Sequence, residues 1–397
     1  MKRKIKSGIA KGVVKAPPSK SYAHRLLIAA ALANGESEIK GISKSADMEA
    51  TLNCIKALGR EFTKTGDTVC INGKINEGEL VFNCLESGST LRFMIPIALL
   101  TGHRCKFTGS ARLMERGVEV YEQAFKERGI TISKNGNELF LDGQLKPDTY
   151  SMPGNVSSQY ISGLLFALPL LNGDSVLNLT TPLESAPYVD ITIECLKTFG
   201  VEIVRGNNSY YIRGNQSYKP LHCDVTGDYS NAAFLDGFNL LGGDVSVFGL
   251  NSDSLQGDKV YLEYYEQLKN GNPVIDISNC PDLGPVLFAL ASVRNGATFT
   301  GTKRLKIKES DRAEAMKTEL SKMGVCLDVQ ENSVVVGCGA KAPTEELYGH
   351  NDHRIVMALS LLLSRFGGVI DGCEAVCKSY PDFFEDMASL GIESEII

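Results

Sequence analysis

Residues 85–104, LESGSTLRFMIPIALLTGHR, read as a small-residue turn, an apolar helix and a glycine stop. Ser87, Gly88 and Ser89 suit a helix start, where side-chain oxygens cap free N–H groups. Gly102 marks the glycine stop at the end. A β-rich stretch, CKFTG, follows. The same order recurs in LLIAAALANGES, LLFALPLLNGDS, FLDGFNLLGGDV, VLFALASVRNGA and VMALSLLLSRFGG, so that the stops fall at Gly35, Gly102, Gly173, Gly243, Gly296 and Gly367.

Between these helices lies a second, amphipathic set that also ends in glycine: ATLNCIKALG, VYEQAFKERG, ITIECLKTFG, YLEYYEQLKNG, AMKTELSKMG and FFEDMASLG. Their apolar residues recur at helical spacing, and each closing glycine is expected to be a left-handed cap. Most intervals are about 70 residues, so six units account for the chain. A repeat of that length also suits a solenoid, but here strands alternate with helices and the charged residues that open each unit follow no single consensus. Six units in 397 residues predict an α/β fold of two similar domains with three units each. Spacing alone does not say where the chain crosses between them.

The chain is 43% hydrophobic and 22% charged, a globular composition. Its 41 Lys and Arg against 47 Asp and Glu give a net charge of −6, which argues against a nucleic-acid binder and confines any anion site to a local basic cleft. Eleven cysteines include no C-x-x-C pair, and a reducing cytoplasm is the expectation. MKRKIK followed by LLIAAALA imitates a secretion signal, but Lys15, two prolines, Lys20, His24 and Arg25 interrupt it. FMIPIALL and VMALSLLL fall short of the roughly 18 apolar residues of a membrane span. His350 and His353 lack a third ligand cluster, so no metal and no cofactor are expected.

The chemistry lies where the first helix of each unit opens: PPSKSYAHR, LESGSTLR, NVSSQYIS, TGDYSNAA, NCPDLGP and HNDHR. Capping explains the Ser, Gly, Asn and Asp there, but not Lys20, Arg25, Arg92, Gln159 or Arg354. The loops GSARLMERGVE and RLKIKESDRAE add Arg112, Arg116, Lys306, Lys308 and Arg312, and VCKSYPD adds Lys378. A single such cation is more often a solvated surface charge. A helix start, however, already attracts anions, so cations gathered at several of them predict a ligand carrying phosphate and carboxylate.

These blocks carry a resemblance. PPSKSYAHR is similar to the P-x-S-K-S-x-x-x-R motif of the enolpyruvyl transferases. SGSTLRF, RLMERGV, SSQYISGLL, ESAPYVDIT, PDLGP, KESDRAEAM, NDHRIVMAL and KSYPDFF resemble, in order, further blocks of the 3-phosphoshikimate 1-carboxyvinyltransferases within that group. The resemblance implies two pseudo-threefold, inside-out α/β barrels, helices inside and sheets outside. One comprises residues 1–18 and 226–397 and carries part of the phosphoenolpyruvate site; the other, 19–225, carries most of the shikimate 3-phosphate site. It implies transfer of the enolpyruvyl group of phosphoenolpyruvate to the 5-hydroxyl of shikimate 3-phosphate by a monomer with small-molecule substrates and no nucleic-acid or membrane partner.

By the same resemblance, Lys20, Ser21, Arg25, Ser157, Ser158, Gln159, Ser185, Tyr188 and Lys308 contact shikimate 3-phosphate. Arg116, Arg312, Arg354 and Lys378, with Lys20 and Gln159, hold phosphoenolpyruvate, and Gly88 allows close backbone approach. Asp282 is the expected base for the 5-hydroxyl and also touches shikimate 3-phosphate. Glu309 handles the methylene proton, with Lys378 as a relay; Lys20 and His353 complete the expected catalytic set, His353 lining the site. Glu86 departs from the family, which usually carries Asn there. Two alternatives stand beside this reading. One is the sister carboxyvinyltransferase acting on UDP-N-acetylglucosamine, which commonly has a reactive cysteine in the loop matching TGSARLMERG; here no cysteine lies between Cys105 and Cys195. The other is a non-catalytic phosphosugar-binding protein.

Overall fold

The computed structural model describes residues 1–73 and 80–397. The chain forms two compact units, Lys20–Thr226 and Met1–Ser19 with Gly227–Ile397. Each has its own hydrophobic core.

The inner-chain unit, Lys20–Thr226, contains α1 (Lys20–Leu32), α2 (Ala46–Ala57), α3 (Gly88–Ala98), the short α4 (Ala111–Glu115), α5 (Glu119–Phe125), α6 (Ser158–Ala167) and α7 (Ala186–Thr198). The glycine-stopped helices lie inside: eleven of the thirteen residues of α1 are buried, and α3 and α6 are buried almost throughout. Among the described residues three four-stranded sheets surround them. In one, Leu80–Asn83 runs parallel to Cys105–Thr108, which pairs antiparallel with Glu138–Asp142, and that strand with Thr131–Asn135. The first sheet borrows His222–Asp224 from the far end of the unit to lie beside Ser37–Lys40, so the three units close on themselves.

Packing inside this ring depends on one proline. Pro96 lies within α3 and cannot donate to the carbonyl of Arg92 four residues earlier. The Tyr121 hydroxyl donates to that carbonyl at 2.8 Å instead. Gly163 of α6 fits against the same spot, where a Cβ would stand 2.5 Å from the Arg92 oxygen and 2.2 Å from the Tyr121 hydroxyl. The exchange of a helix bond for a tyrosine bond seats α6 against α3 and fixes Arg92 at the helix opening.

The terminal unit contains α8 (Tyr229–Leu240), α9 (Tyr261–Asn270), α10 (Gly284–Val293), α11 (Arg312–Ser321), α12 (His353–Phe366) and α13 (Phe383–Ser389). Here α8, α10 and α12 are the buried helices. Among the described residues its sheets number two of four strands and one of two, Lys11–Lys15 with Asp244–Phe248. The small sheet explains the short interval between Gly243 and Gly296: after α9 the chain passes directly to Val274–Asp276 without a hairpin. Gly271 accordingly departs from the expected left-handed cap. Its φ is 171°, extended backbone, whereas Gly59, Gly129, Gly200, Gly324 and Gly391 have φ between 69° and 98°.

Candidate active site

In the inner-chain unit Lys20 opens α1, and its Nζ lies 3.1 Å from Asp47 Oδ2 in the first turn of α2. The protein thus supplies part of the anion that a cation at a helix start requires. Arg25, one turn on, is 3% exposed. Its Nε donates to Thr192 Oγ1 at 2.7 Å, and its terminal nitrogens donate to the carbonyls of Ser21 at 2.8 Å and Tyr188 at 2.9 Å. Its guanidinium also lies over the Phe93 ring, 5.1 Å from the centroid. Burial lowers the Arg25 pKa to about 10.

A buried polar chain links α1, α2 and the start of α3. His24 Nδ1 lies 2.7 Å from Thr51 Oγ1, Thr51 lies 2.8 Å from Thr90 Oγ1, and Thr90 donates to Ser87 Oγ at 2.8 Å. Burial holds the His24 pKa well below the usual range, so the ring is neutral. On α6, Gln159 accepts from Arg92 Nη1 at 2.7 Å and donates to Ser89 at 2.9 Å. Ser157 caps this helix, its Oγ accepting from the Gln159 amide at 3.4 Å, and Ser158 is buried at the first turn. Ser185, which precedes α7, holds a left-handed backbone at φ 55°, a conformation that clusters at ligand sites.

Gly88 has a specific neighbour. A Cβ there would stand 2.8 Å from Arg116 Nη1 and 3.0 Å from its Cζ, so the guanidinium lies flat on the opening of α3. Gly88→Ala is expected to displace Arg116 without unfolding the chain, since the clash is with the far end of a flexible side chain. On the expectation from the sequence that Gly88 and Arg116 belong to the phosphoenolpyruvate site, the expected result is a rise of about tenfold in the KM for that substrate alone, read by steady-state kinetics.

The terminal unit gathers carboxylates around one guanidinium. Arg312, 1% exposed, donates through Nη1 to Asp282 Oδ1 at 2.8 Å, through Nη2 to Glu309 Oε2 at 2.7 Å, and through Nε to Asp352 Oδ2 at 2.8 Å. Burial works against its charge, but Asp352, Glu309 and Asp282 outweigh it and raise its pKa. Asp282 also faces Lys308 Nζ at 3.1 Å and Arg354 Nη2 at 3.2 Å. Burial lowers the Lys308 pKa, against the pull of Asp282. Asp352 is fully buried, caps α12 through the Arg354 amide at 3.0 Å and accepts from Ser310 Oγ at 3.1 Å. His353 is buried beside it, Nδ1 lying 3.9 Å from Asp352 Oδ1. Lys378 donates to the Asn351 carbonyl at 2.6 Å.

The structure therefore joins Lys20 with Asp47, Gln159 with Arg92, Gly88 with Arg116, and Asp282, Glu309, Lys308 and Arg354 around Arg312. Asp47, Thr192 and Asp352 were not singled out in the sequence. The first and last stand where a helix ordinarily takes an acidic first-turn or capping residue, which hides any further role.

Residues 6–387 match the family model of EPSP synthase (3-phosphoshikimate 1-carboxyvinyltransferase). A 3-phosphoshikimate 1-carboxyvinyltransferase of Clostridium kluyveri is 43% identical over 96% of this chain and 95% of its own length. One from Clostridioides difficile is 40% identical over the same shares. Among solved structures, the EPSP synthase from Acinetobacter baumannii aligns with a TM-score of 0.80 at 23% identity, covering 100% of both chains, a likeness of fold alone. The match spans both units and every block quoted above, and the chain belongs to the EPSP synthase family.

Proposed function

We propose that this chain transfers the enolpyruvyl group of phosphoenolpyruvate to the 5-hydroxyl of shikimate 3-phosphate and releases phosphate, a step of aromatic amino-acid biosynthesis by way of chorismate. The observation that carries the division of labour is the sharing of Arg312 by Asp282 and Glu309 at 2.8 and 2.7 Å, which places two carboxylates side by side on one cation. Addition requires a proton to leave the attacking hydroxyl and another to reach the methylene carbon of phosphoenolpyruvate; elimination of phosphate then requires the new methyl group to give one up. Asp282 takes the hydroxyl proton, and Glu309 delivers and later removes the carbon proton, with Lys378 as relay. His353 lines this part of the site.

Binding divides in the same way. Lys20, Ser21, Arg25, Ser157, Ser158, Gln159, Ser185, Tyr188 and Lys308 hold shikimate 3-phosphate; Arg116, Arg312, Arg354 and Lys378, helped by Lys20 and Gln159, hold phosphoenolpyruvate. The backbone of Gly88 lies at the phosphoenolpyruvate carboxylate or phosphate. Eleven free thiols support a reducing, cytoplasmic setting. Among the described residues no helix is long and apolar enough to cross a membrane.

A phosphate-release assay with phosphoenolpyruvate and either shikimate 3-phosphate or UDP-N-acetylglucosamine tests the reading. Turnover with the nucleotide sugar and none with shikimate 3-phosphate overturns it. Glu86, half-buried two residues before Gly88, supplies a finer test. A free carboxylate there would repel a substrate that is itself a carboxylate and a phosphate, so Glu86 is held away from it, paired with a cation such as Arg92 or Arg116. Glu86→Asn is expected to change the apparent affinity for phosphoenolpyruvate about threefold or more while shikimate 3-phosphate binding holds, measured by titrating each substrate.

A further inference from the structure

The chain approaches α12 through two consecutive non-glycine residues in the left-handed region, His350 at φ 49° and Asn351 at φ 51°. Such backbone persists only where its surroundings over-determine it, and it clusters at functional sites. The constraints here are specific. The Gly349 amide donates to the Asp371 carbonyl at 2.8 Å, and the Asp352 amide donates back to the Gly349 carbonyl at 2.9 Å. Glu319 reaches across from α11 with its side chain 1% exposed. One of its oxygens accepts from His350 Nε2 at 2.8 Å; the other accepts from the Tyr348 amide at 2.9 Å and Lys322 Nζ at 2.8 Å. The Tyr348 ring lies 5.0 Å from the His350 ring. Burial opposes the charge of Glu319, yet the hydrogen bonds from His350, Lys322 and the Tyr348 amide outweigh it and hold its pKa below the usual carboxylate range.

At the far side of this turn the Asn351 carbonyl accepts from Lys378 Nζ at 2.6 Å. A lysine ammonium sits on four flexible carbons and carries three donors, so a fixed carbonyl on one of them decides where the charge is held. We propose that Glu319 and His350 are positioning residues for Lys378: by locking the turn from Tyr348 to Asn351 they hold the carbonyl that aims the ammonium at phosphoenolpyruvate. The inference rests on the reading of Lys378 as a phosphoenolpyruvate ligand. His350 acts through the turn and its bond to Glu319. Its contribution is to spare the binding step the ordering of a long side chain.

Four variants test this: His350→Ala, His350→Gln, Lys378→Met, and His350→Ala combined with Lys378→Met, each assayed by varying one substrate at a time and by thermal melting. His350→Ala is expected to raise the KM for phosphoenolpyruvate about fivefold or more, leave that for shikimate 3-phosphate within about twofold, and keep the melting temperature within about 3 °C. His350→Gln, whose amide can still donate to Glu319, is expected to recover most of the loss. The double variant is expected to match Lys378→Met alone within about twofold, because the two residues act through one group. An unchanged KM in His350→Ala, a parallel rise in both KM values with a lower melting temperature, or a double variant impaired by the product of the single effects overturns the proposal. If Lys378→Met itself leaves phosphoenolpyruvate kinetics intact, the ligand reading of Lys378 falls and the positioning role with it. If Lys378→Met is impaired and His350→Ala is not, only the positioning role falls.

Discussion

Replacing Asp282 by asparagine is expected to lower turnover about a hundredfold or more while the chain stays folded and still binds shikimate 3-phosphate. An amide has the same shape and can still accept from Lys308 and Arg312, but it cannot take up a proton from the attacking hydroxyl. The electrostatics sharpen the expectation. Asp282 faces three cations, Lys308, Arg312 and Arg354, at 3.1, 2.8 and 3.2 Å. Removing its charge leaves that cluster more positive, so affinity for an anionic substrate should hold or increase even as kcat collapses. Phosphate release measures the first quantity and calorimetric titration of shikimate 3-phosphate the second. Turnover within about threefold of the parent removes Asp282 as the base; loss of substrate binding together with turnover makes it a binding residue instead.

The repeat was legible because a glycine at a helix end is a local requirement written in a single letter. Its limit shows at Gly271, where the same letter follows an ordinary amphipathic helix yet the backbone is extended. What distinguishes that unit is a hairpin that is absent, and absence leaves no residue to read. The site divides along a similar line. Cations at helix starts stand out because capping does not explain them, as with Lys20 and Arg354. The carboxylates beneath the site do not stand out, because Asp47, which holds Lys20, and Asp352, which holds Arg312, stand where a helix ordinarily takes an acidic first-turn or capping residue. Pairings between distant segments, such as Arg116 on Gly88 or Arg92 on Gln159, follow from the closed arrangement of three units and have no local sequence signal.

Asp352 is where stability and chemistry meet. It is fully buried and accepts from Arg312, from the Arg354 amide and from Ser310. Asp352→Ala takes the deepest of three carboxylates from the buried guanidinium of Arg312 and the cap from α12; a buried charge left wholly uncompensated costs about 3–5 kcal/mol, an upper bound here because Asp282 and Glu309 remain. Because the two units have separate cores, the loss should be local. Amide hydrogen exchange in α11 and α12 is expected to accelerate by about two orders of magnitude or more, while α1, α3 and α6 keep their protection. Exchange in α12 within about threefold of the parent would remove Asp352 from the foundation of the terminal unit. A companion variant separates the two roles. Replacing two members of the cluster, Arg312→Met with Asp352→Leu, removes the deepest charges while Asp282 keeps Lys308 and Arg354, and should restore part of the protection, since a buried ion pair is often matched by well-packed apolar residues. Its activity should stay lost, because Arg312 is also the group that holds Asp282 and Glu309 together. A stable and inactive double variant would mean that the buried ion cluster is kept for the site, where Arg312 both holds two carboxylates and faces phosphoenolpyruvate, and that the fold could do without it.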